Sequence, residues 1–340
     1  MAPLTVVPTP VNAVPDPTHH DGPGLFRNPW KIHNPRLAEL WRFARESRRD
    51  TDPTRPGSFA STESKPAIPR AKADELSVTW VGHSTFLIQT GNRNVLTDPV
   101  WGKRASPVPI AGPRRYMPPG MPLTDLPPID VVLVSHNHYD HLDARTVRRL
   151  SELHPDAEWL APLGLERLLA RLGATRITEA DWWHQETVHG LTMTAVPAQH
   201  FSGRGFKRNQ SLWCGWVVSD RHCTWYFVGD TGWFPEFGEV AKRTGPSDLI
   251  FMPIGAYEPR WFMAPVHVNP EEAVEAFRQL TQNNARPATM VAMHWGTFKL
   301  TTEPMNEPPI RTRTAWQEAG LADDCLWILA HGETRWFSPH

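Results

Sequence analysis

Between Val131 and Asp143 the chain reads V-V-L-V-S-H-N-H-Y-D-H-L-D, an apolar run that delivers three imidazoles and a carboxylate within six residues. Preceded by Pro127-Pro128, Val131–Val134 has the β-branched composition of a buried strand, so His136 to His141 form the loop at its carboxyl end. Sheets of α/β proteins hold their ligands at that end. Imidazole nitrogen and carboxylate oxygen together suit borderline divalent ions such as zinc, and a catalytic site keeps one coordination position open. The spacing H-x-H-x-D-H lets one ion take His136 and His138 while a second takes Asp140 and His141. A histidine-rich surface loop is the plain alternative, since 16 histidines in 340 residues make chance pairs common. Four donors meeting at one strand end argue against chance.

A chain of 340 residues with 40% hydrophobic content buries a substantial core, best read as one large domain with an extension. The net charge of -1, from 35 basic and 36 acidic residues, gives no bulk reason to expect nucleic acid. Cys214, Cys223 and Cys325 form no C-x-x-C pair and are odd in number, so neither a zinc knuckle nor a disulfide framework is indicated and a reducing cytoplasm is expected. Residues 1–17 lack the basic start and apolar core of a secretory signal, and no apolar run is long enough to cross a bilayer. The expectation is a soluble chain with at most peripheral membrane contact. Its oligomeric state, a homodimer included, is left open. Proline, 35 of 340, is roughly twice its usual share, and tryptophan, at 16, is abundant too.

Three segments follow in order: a flexible proline-rich leader over 1–27, an N-terminal extension over 28–75, and the main domain over 76–340. In the extension, Leu37, Leu40, Trp41 and Ala44 have helical spacing among Arg36, Arg42, Arg45, Arg48 and Arg49, a basic amphipathic helix that docks on the main domain in preference to a membrane. A second proline-rich linker covers 52–69. Strands over 76–81, 85–90 and 94–97, joined by short Gly/Asn turns, make an antiparallel meander. Later strands are read at 159–161, 191–196, 212–218, 223–228, 249–252, 289–293 and 326–329. Helices are read at 144–153 after Asp143, 163–172, 270–280 capped at Asn269, and 311–319. Mixed strands and helices in this order fit an α/β, four-layer αββα sandwich.

Two ions need more donors than one loop supplies. His200, Asp230 and His294 each stand just past a predicted strand. With the H-x-H-x-D-H loop, they resemble the signature of the metallo-β-lactamase superfamily of hydrolases. That resemblance implies a dinuclear centre between two sheets, with His136, His138 and His200 on one divalent ion, Asp140, His141 and His294 on the other, and Asp230 of G-D-T-G between them. Two dications, two carboxylates and one bridging hydroxide leave a single positive charge, which welcomes an anionic substrate. His83, His267 and His331 also sit beside glycines or strand ends, where supporting contacts and ordinary structure are equal readings; His267 is carried with Asp140 and Asp230 as a catalytic candidate. His19, His20 and His340 lie near the chain ends and are given no role.

Fold alone does not choose a substrate. The flanks W-V-G-H-S-T from Trp80, L-T-D-P from Leu96, G-P-R-R-Y from Gly112, L-P-P-I-D from Leu126, P-I-G-A-Y-E-P-R-W-F-M from Pro253, H-V-N-P-E-E-A from His267 and H-W-G-T-F from His294 together are similar to the N-acylphosphatidylethanolamine-hydrolysing phospholipase D family, over about Asn28 to Trp336. The resemblance implies hydrolysis of that phospholipid to N-acylethanolamine and phosphatidic acid by a bridging hydroxide, with zinc as the usual metal and manganese as the alternative. Val266 stands where the animal enzymes are expected to carry Gln, and the segment after His200 has no close motif match. Substrate contacts are assigned to Tyr139, to Arg204, Lys207 and Arg208 interleaved with Phe201 and Phe206, and to Tyr257, Arg260 and Trp261, with a solvated loop or buried support as the competing readings. The runner-up is a hydrolase like ascorbate-6-phosphate lactonase, which shares G-H-S-T and T-D-P. A class B β-lactamase is disfavoured because no cysteine follows the expected strand, and a non-catalytic scaffold because seven candidate donors are present.

Overall fold

Apolar runs without alternation become interior strands, because a strand covered on both faces has no side to give to water. In a computed structural model that describes residues 17–30, 36–47, 52, 54, 55, 57–205 and 207–338, every residue of Thr85–Thr90, Leu249–Pro253 and Thr289–Met293 is buried. One sheet contains β1 (Leu76–Gly82), β2 (Thr85–Thr90), β3 (Arg93–Thr97), β4 (Val131–Leu133), β5 (Glu158–Pro162) and β6 (Arg176–Ala180). The other contains β7 (Gln185–Val188), β8 (Leu191–Val196), β9 (Gly215–Ser219), β10 (Thr224–Phe227), β11 (Leu249–Pro253), β12 (Thr289–Met293) and β13 (Leu326–Trp327), and β14 (Thr334–Phe337) returns to the first. The strand orders are β14-β1-β2-β3-β4-β5-β6 and β13-β12-β11-β10-β9-β8-β7, seven strands each. In both, an antiparallel half changes to a parallel half, at β3 and at β10.

Alternation within β2 shows how the layers meet. Phe86 and Ile88 join the core shared with Trp216, Tyr226 and Phe251 of the second sheet, whereas Leu87 between them joins Val147, Leu150 and Leu169 beneath the outer helices. Those helices are α2 (Ala144–Leu153) and α3 (Glu166–Arg171); on the chain's other side α4 (Phe237–Thr244) and α7 (Glu307–Glu318) flank α6 (Pro270–Thr281) over β11. A helix α1 (Leu37–Ser47) and the short α5 (Arg260–Met263) complete the set. This is the αββα sandwich. Both anticipated caps are present: Asp143 accepts from the amides of Arg145 and Thr146, and Asn269 forms a capping box with Glu272. Each is worth about 1 kcal/mol.

The differences from expectation have local causes. β6, β7 and β14 are polar strands, at or close to sheet edges, whose sequences R-I-T-E-A, Q-E-T-V and T-R-W-F carry little apolar periodicity. Helix α7 begins at Glu307, before the expected Arg311, since Pro308 and Pro309 occupy its first turn, where no amide donor is needed. Helix α4, F-G-E-V-A-K-R-T, has no counterpart among the helices expected from the sequence, and α3 is shorter than 163–172.

Helix α1 docks on α5: Phe43 stacks on Phe262 at 4.6 Å, Trp261 Nε1 donates to Glu46, and Arg42 lies 4.1 Å over the Trp261 ring. Arg48 and Arg49 fall outside the described residues, as do residues 1–16, Phe206 and His340. Within 17–27, three side chains reach the main domain while most of the others are exposed. His19 and His20 hydrogen-bond the two oxygens of Asp181 at 2.6 and 2.8 Å, His19 stacks on Trp182, and Phe26 enters the core. The expectation that these two histidines do nothing is therefore corrected: they fasten the N-terminal segment to the β6–β7 connection.

Candidate metal centre

Sheet topology gathers the donors. The loop after β4, the residues after β8 and β10, and His294 at the end of β12 all lie at one end of the facing sheets, where the β1–β2 turn brings His83. Asp230 Oδ2 lies 3.1 Å from His141 Nε2, 3.0 Å from His294 Nε2, 3.7 Å from His200 Nε2 and 3.8 Å from His136 Nε2. On one side of it, His138 Nδ1 is 2.9 Å from His136 Nε2 and 3.2 Å from His200 Nε2. On the other, Asp140 Oδ2 is 3.6 Å from both His141 Nε2 and His294 Nε2. Within each group the donor atoms lie within 4.8 Å of one another. These are the two sets expected from the sequence, with Asp230 reaching both.

The donor chemistry fits divalent metal. Among the described residues, His141 Nε2, His294 Nε2 and Asp230 Oδ1 are buried without a hydrogen bond of acceptable geometry, a costly state unless another group uses their lone pairs. Tautomers are arranged to suit. Asp98 accepts from the Ser135 amide at 2.7 Å, from Ser135 Oγ at 2.6 Å and from His141 Nδ1 at 2.7 Å. Because Ser135 Oγ gives its proton to Asp98, it accepts from His136 Nδ1 at 2.9 Å. His200 Nδ1 donates to the Val266 carbonyl at 3.0 Å, and Asn28 brackets the His200 backbone through both its N–H and its carbonyl. With each Nδ1 so engaged, Nε2 is the nitrogen that His136, His141 and His200 turn inward.

Asp98 is the functional residue that motif reading passed over, carried only as part of T-D-P. Its signal is positional: β3 pairs in parallel with β4, so the residue after Thr97 lies beside the one leading into Ser135. The tryptophans also acquire a purpose here. Trp80 Nε1 donates to the His83 carbonyl, Trp216 Nε1 to Val134 and Trp213 Nε1 to Ala198, each a backbone group in or beside a segment that carries the centre. Glycine is required at Gly229, where φ is 68° and a Cβ would stand 2.9 Å from Ser135 Cβ, and at Gly255, where it would stand 2.3 Å from the His294 carbonyl oxygen. His83, Asp98 and His294 themselves have φ of 56°, 32° and 62°. Strained non-glycine backbone of this kind, about 1–3 kcal/mol per residue, collects at functional sites.

Burial and neighbouring charge divide the imidazoles into two classes. Burial depresses His83 to about 3, His138 to about 4 and His200 to about 3, and holds His136 and His267 well below their ordinary value. Burial also acts downward on His141 and His294, but the Asp230 carboxylate outweighs it and raises both, His294 to about 9. For Asp230 and Asp140 burial acts upward, yet the charge of His141 and, for Asp230, of His294 keeps them well below the carboxylate range. The first class refuses protons that the unfolded chain accepts below about 6.5, so its stability is present above that pH and is lost as pH falls towards 4. For His141 and His294 the contribution is complete below about 6.5 and fades as pH rises through 9. Thermal unfolding of chelator-stripped protein should therefore show its steepest loss on the acid side, between about pH 6.5 and 4. An acid limb no steeper than that of a variant with His136 and His200 replaced by Gln would contradict neutral burial of these rings.

The supporting and substrate assignments sort by contact. His83 Nε2 lies 3.1 Å from Asp140 Oδ2 and orients it. His331 stands one hydroxyl further out, on Thr297 Oγ1, which also accepts the His83 amide. The His267 ring is 5.1 Å from His200 and 5.3 Å from His294, at the Asp230 side. Tyr139 remains at the opening with Arg204 over its ring, and exposed Arg208 lies above Phe201, which packs against His138; Lys207 is exposed. Four of the residues assigned to substrate have partners inside the fold. Arg204 is committed to the Asn137 and Leu142 carbonyls, where it clamps the donor loop. Tyr257 is fully buried with its hydroxyl on Glu307. Arg260 holds Glu272 and the His267 carbonyl, and Trp261 belongs to the contact with α1.

A family model described as a beta-lactamase superfamily domain matches residues 93–295, and N-acyl-phosphatidylethanolamine-hydrolyzing phospholipase D 1 of Caenorhabditis elegans is 43% identical over 245 residues, 68% of this chain and 67% of that one. The chain belongs to the N-acylphosphatidylethanolamine-hydrolysing phospholipase D family of the metallo-β-lactamase superfamily. Another relative is an uncharacterized protein of Mycobacterium tuberculosis, also 43% identical, over 252 residues, 74% of this chain and 66% of that protein. The matched stretch thus spans about two thirds of either relative's length. A metallo hydrolase from Ignicoccus hospitalis, 22% identical over 78% of this chain and 99% of its own, shares the fold with a TM-score of 0.57. Membership of the superfamily makes this chain a metal-dependent hydrolase and the cluster around Asp230 its candidate divalent-metal site.

Proposed function

We propose that this chain is a phosphodiesterase of the phospholipase D type that cleaves N-acylphosphatidylethanolamine to N-acylethanolamine and phosphatidic acid. The observation that carries the reading is the 43% identity to the Caenorhabditis elegans enzyme named for that reaction, joined to a donor set fit for two ions. His136, His138 and His200 would hold one, Asp140, His141 and His294 the other, and Asp230 would serve both. Five imidazoles and two carboxylates favour zinc, with manganese second. Bound there, the ions supply Lewis acidity to a phosphoryl oxygen and lower the pKa of nearby water.

The chain's own contribution is position. Asp98 and the Val266 carbonyl set which nitrogen of His141 and His200 faces the centre, and His83 fixes Asp140. His136, His141, His200, Asp230 and His294 are buried whereas His138, Tyr139 and Asp140 are partly exposed, so substrate approaches from their side. The net positive charge expected of the loaded centre suits a phosphodiester monoanion better than a neutral ester.

The test is incubation of zinc-loaded protein with N-acylphosphatidylethanolamine micelles in ¹⁸O water. Release of N-acylethanolamine, with label in the phosphate of phosphatidic acid, is expected. Label in the alcohol would show C–O cleavage. Should a phosphorylated lactone open readily while every lipid diester survives, the lactonase reading replaces this one.

A further inference from the structure

A groove of about 1250 Å³ begins at Tyr139, on the donor loop itself, and runs between α2, α3 and the loop over 101–109. Its wall is basic. Lys103, Arg145 and Arg148 are exposed there, and among the described residues none has a carboxylate partner, whereas nearby Arg149 pairs with Glu152. Asp143 is the one acid of the wall, and its carboxylate is occupied by the α2 cap and Thr146 Oγ1. Beside these cations the chain presents P-V-P-I: Val108 is 44% exposed, and Ile110, at 85%, is the most exposed large apolar side chain described. That tip is held in place from within the loop, since Arg104 donates to the carbonyls of Pro109 at 3.1 Å and Gly112 at 2.6 Å.

We propose that this face docks on an anionic phospholipid bilayer, with Val108 and Ile110 inserted among the acyl chains and Lys103, Arg145 and Arg148 on the headgroup phosphates. An apolar wedge ringed by unpaired cations is what such a surface recognises, because burial and charge attraction then add. Docking this way sets Tyr139 and the opening of the metal centre against the membrane. The inference rests on the lipid-hydrolase reading; Arg204, which lines the same groove, is committed to the Asn137 and Leu142 carbonyls and is not among the docking cations.

Co-sedimentation of the full chain with vesicles measures docking without turnover. Phosphatidylglycerol/phosphatidylcholine vesicles should bind the chain, pure phosphatidylcholine should bind far less, and high salt should erase the difference. Combined Lys103→Glu, Arg145→Glu and Arg148→Glu should weaken partition by roughly a hundredfold, and Ile110→Ser by roughly tenfold. Arg313→Glu, on α7, should change nothing. All variants should keep their circular dichroism, zinc content and turnover of a short-chain soluble diester. Retained partition in the charge-reversed chain overturns the proposal. So does equal binding of duplex DNA together with indifference to Ile110→Ser, which would mark a nucleic-acid surface. If vesicle binding follows the expected pattern while no diester is cleaved, the hydrolase reading fails and the docking surface stands.

Discussion

Asp230→Asn is expected to leave the purified chain with less than one divalent ion and to lower hydrolysis by at least roughly a thousandfold, about 4 kcal/mol of lost electrostatic stabilisation. Asparagine keeps the volume and removes the charge. Asp230 Oδ2 lies within 3.8 Å of four imidazole nitrogens drawn from both donor groups, so on the two-ion reading it is the carboxylate that would offset both dications at once. Without it, ions in adjacent positions repel each other uncompensated, and the second to bind suffers most. His200→Ala should differ in kind, losing chiefly one ion, since it belongs to one group only. Elemental analysis after saturation and buffer exchange decides the matter. No more than one ion in the unaltered protein would remove the dinuclear reading, and two ions retained by the Asp230→Asn variant would remove Asp230 from its place between them.

Asp98→Ala should cost about 3–5 kcal/mol of stability and also impair metal retention. The side chain is fully buried and accepts three hydrogen bonds, from the Ser135 amide, Ser135 Oγ and His141 Nδ1. Truncation strands all three donors where water does not reach. It also frees His141 and, through Ser135, His136 to take the other tautomer, which would aim a proton at the centre in place of a lone pair. Urea unfolding of the metal-free protein reads the first effect, and zinc affinity reads the second. A loss under about 1 kcal/mol with unchanged zinc affinity would show Asp98 to be ordinary packing.

Order along the chain by itself determines much of this protein. A β-branched run followed by H-x-H-x-D-H has few physical uses, and donors placed just after later strands must converge if those strands share two facing sheets. Caps at Asp143 and Asn269 were equally legible, because a cap is a local hydrogen bond between residues two or three apart. What failed locally was whatever depends on a distant partner. Polar β6, β7 and β14 become strands through neighbours that supply their ladder bonds. Tyr257, Arg260, Trp261 and Arg204 look like substrate contacts in a linear motif, but each finds its partner inside the fold: Glu307, Glu272, Glu46 and the donor-loop carbonyls. Asp98 shows the same limit from the other side. T-D-P was visible, yet only the parallel register of β3 on β4 puts its carboxylate against Ser135 and His141. Donor chemistry is a property of residue type and can be read from the letters; whether a side chain is exposed, committed or orienting another depends on what packs against it, and tertiary structure alone decides that.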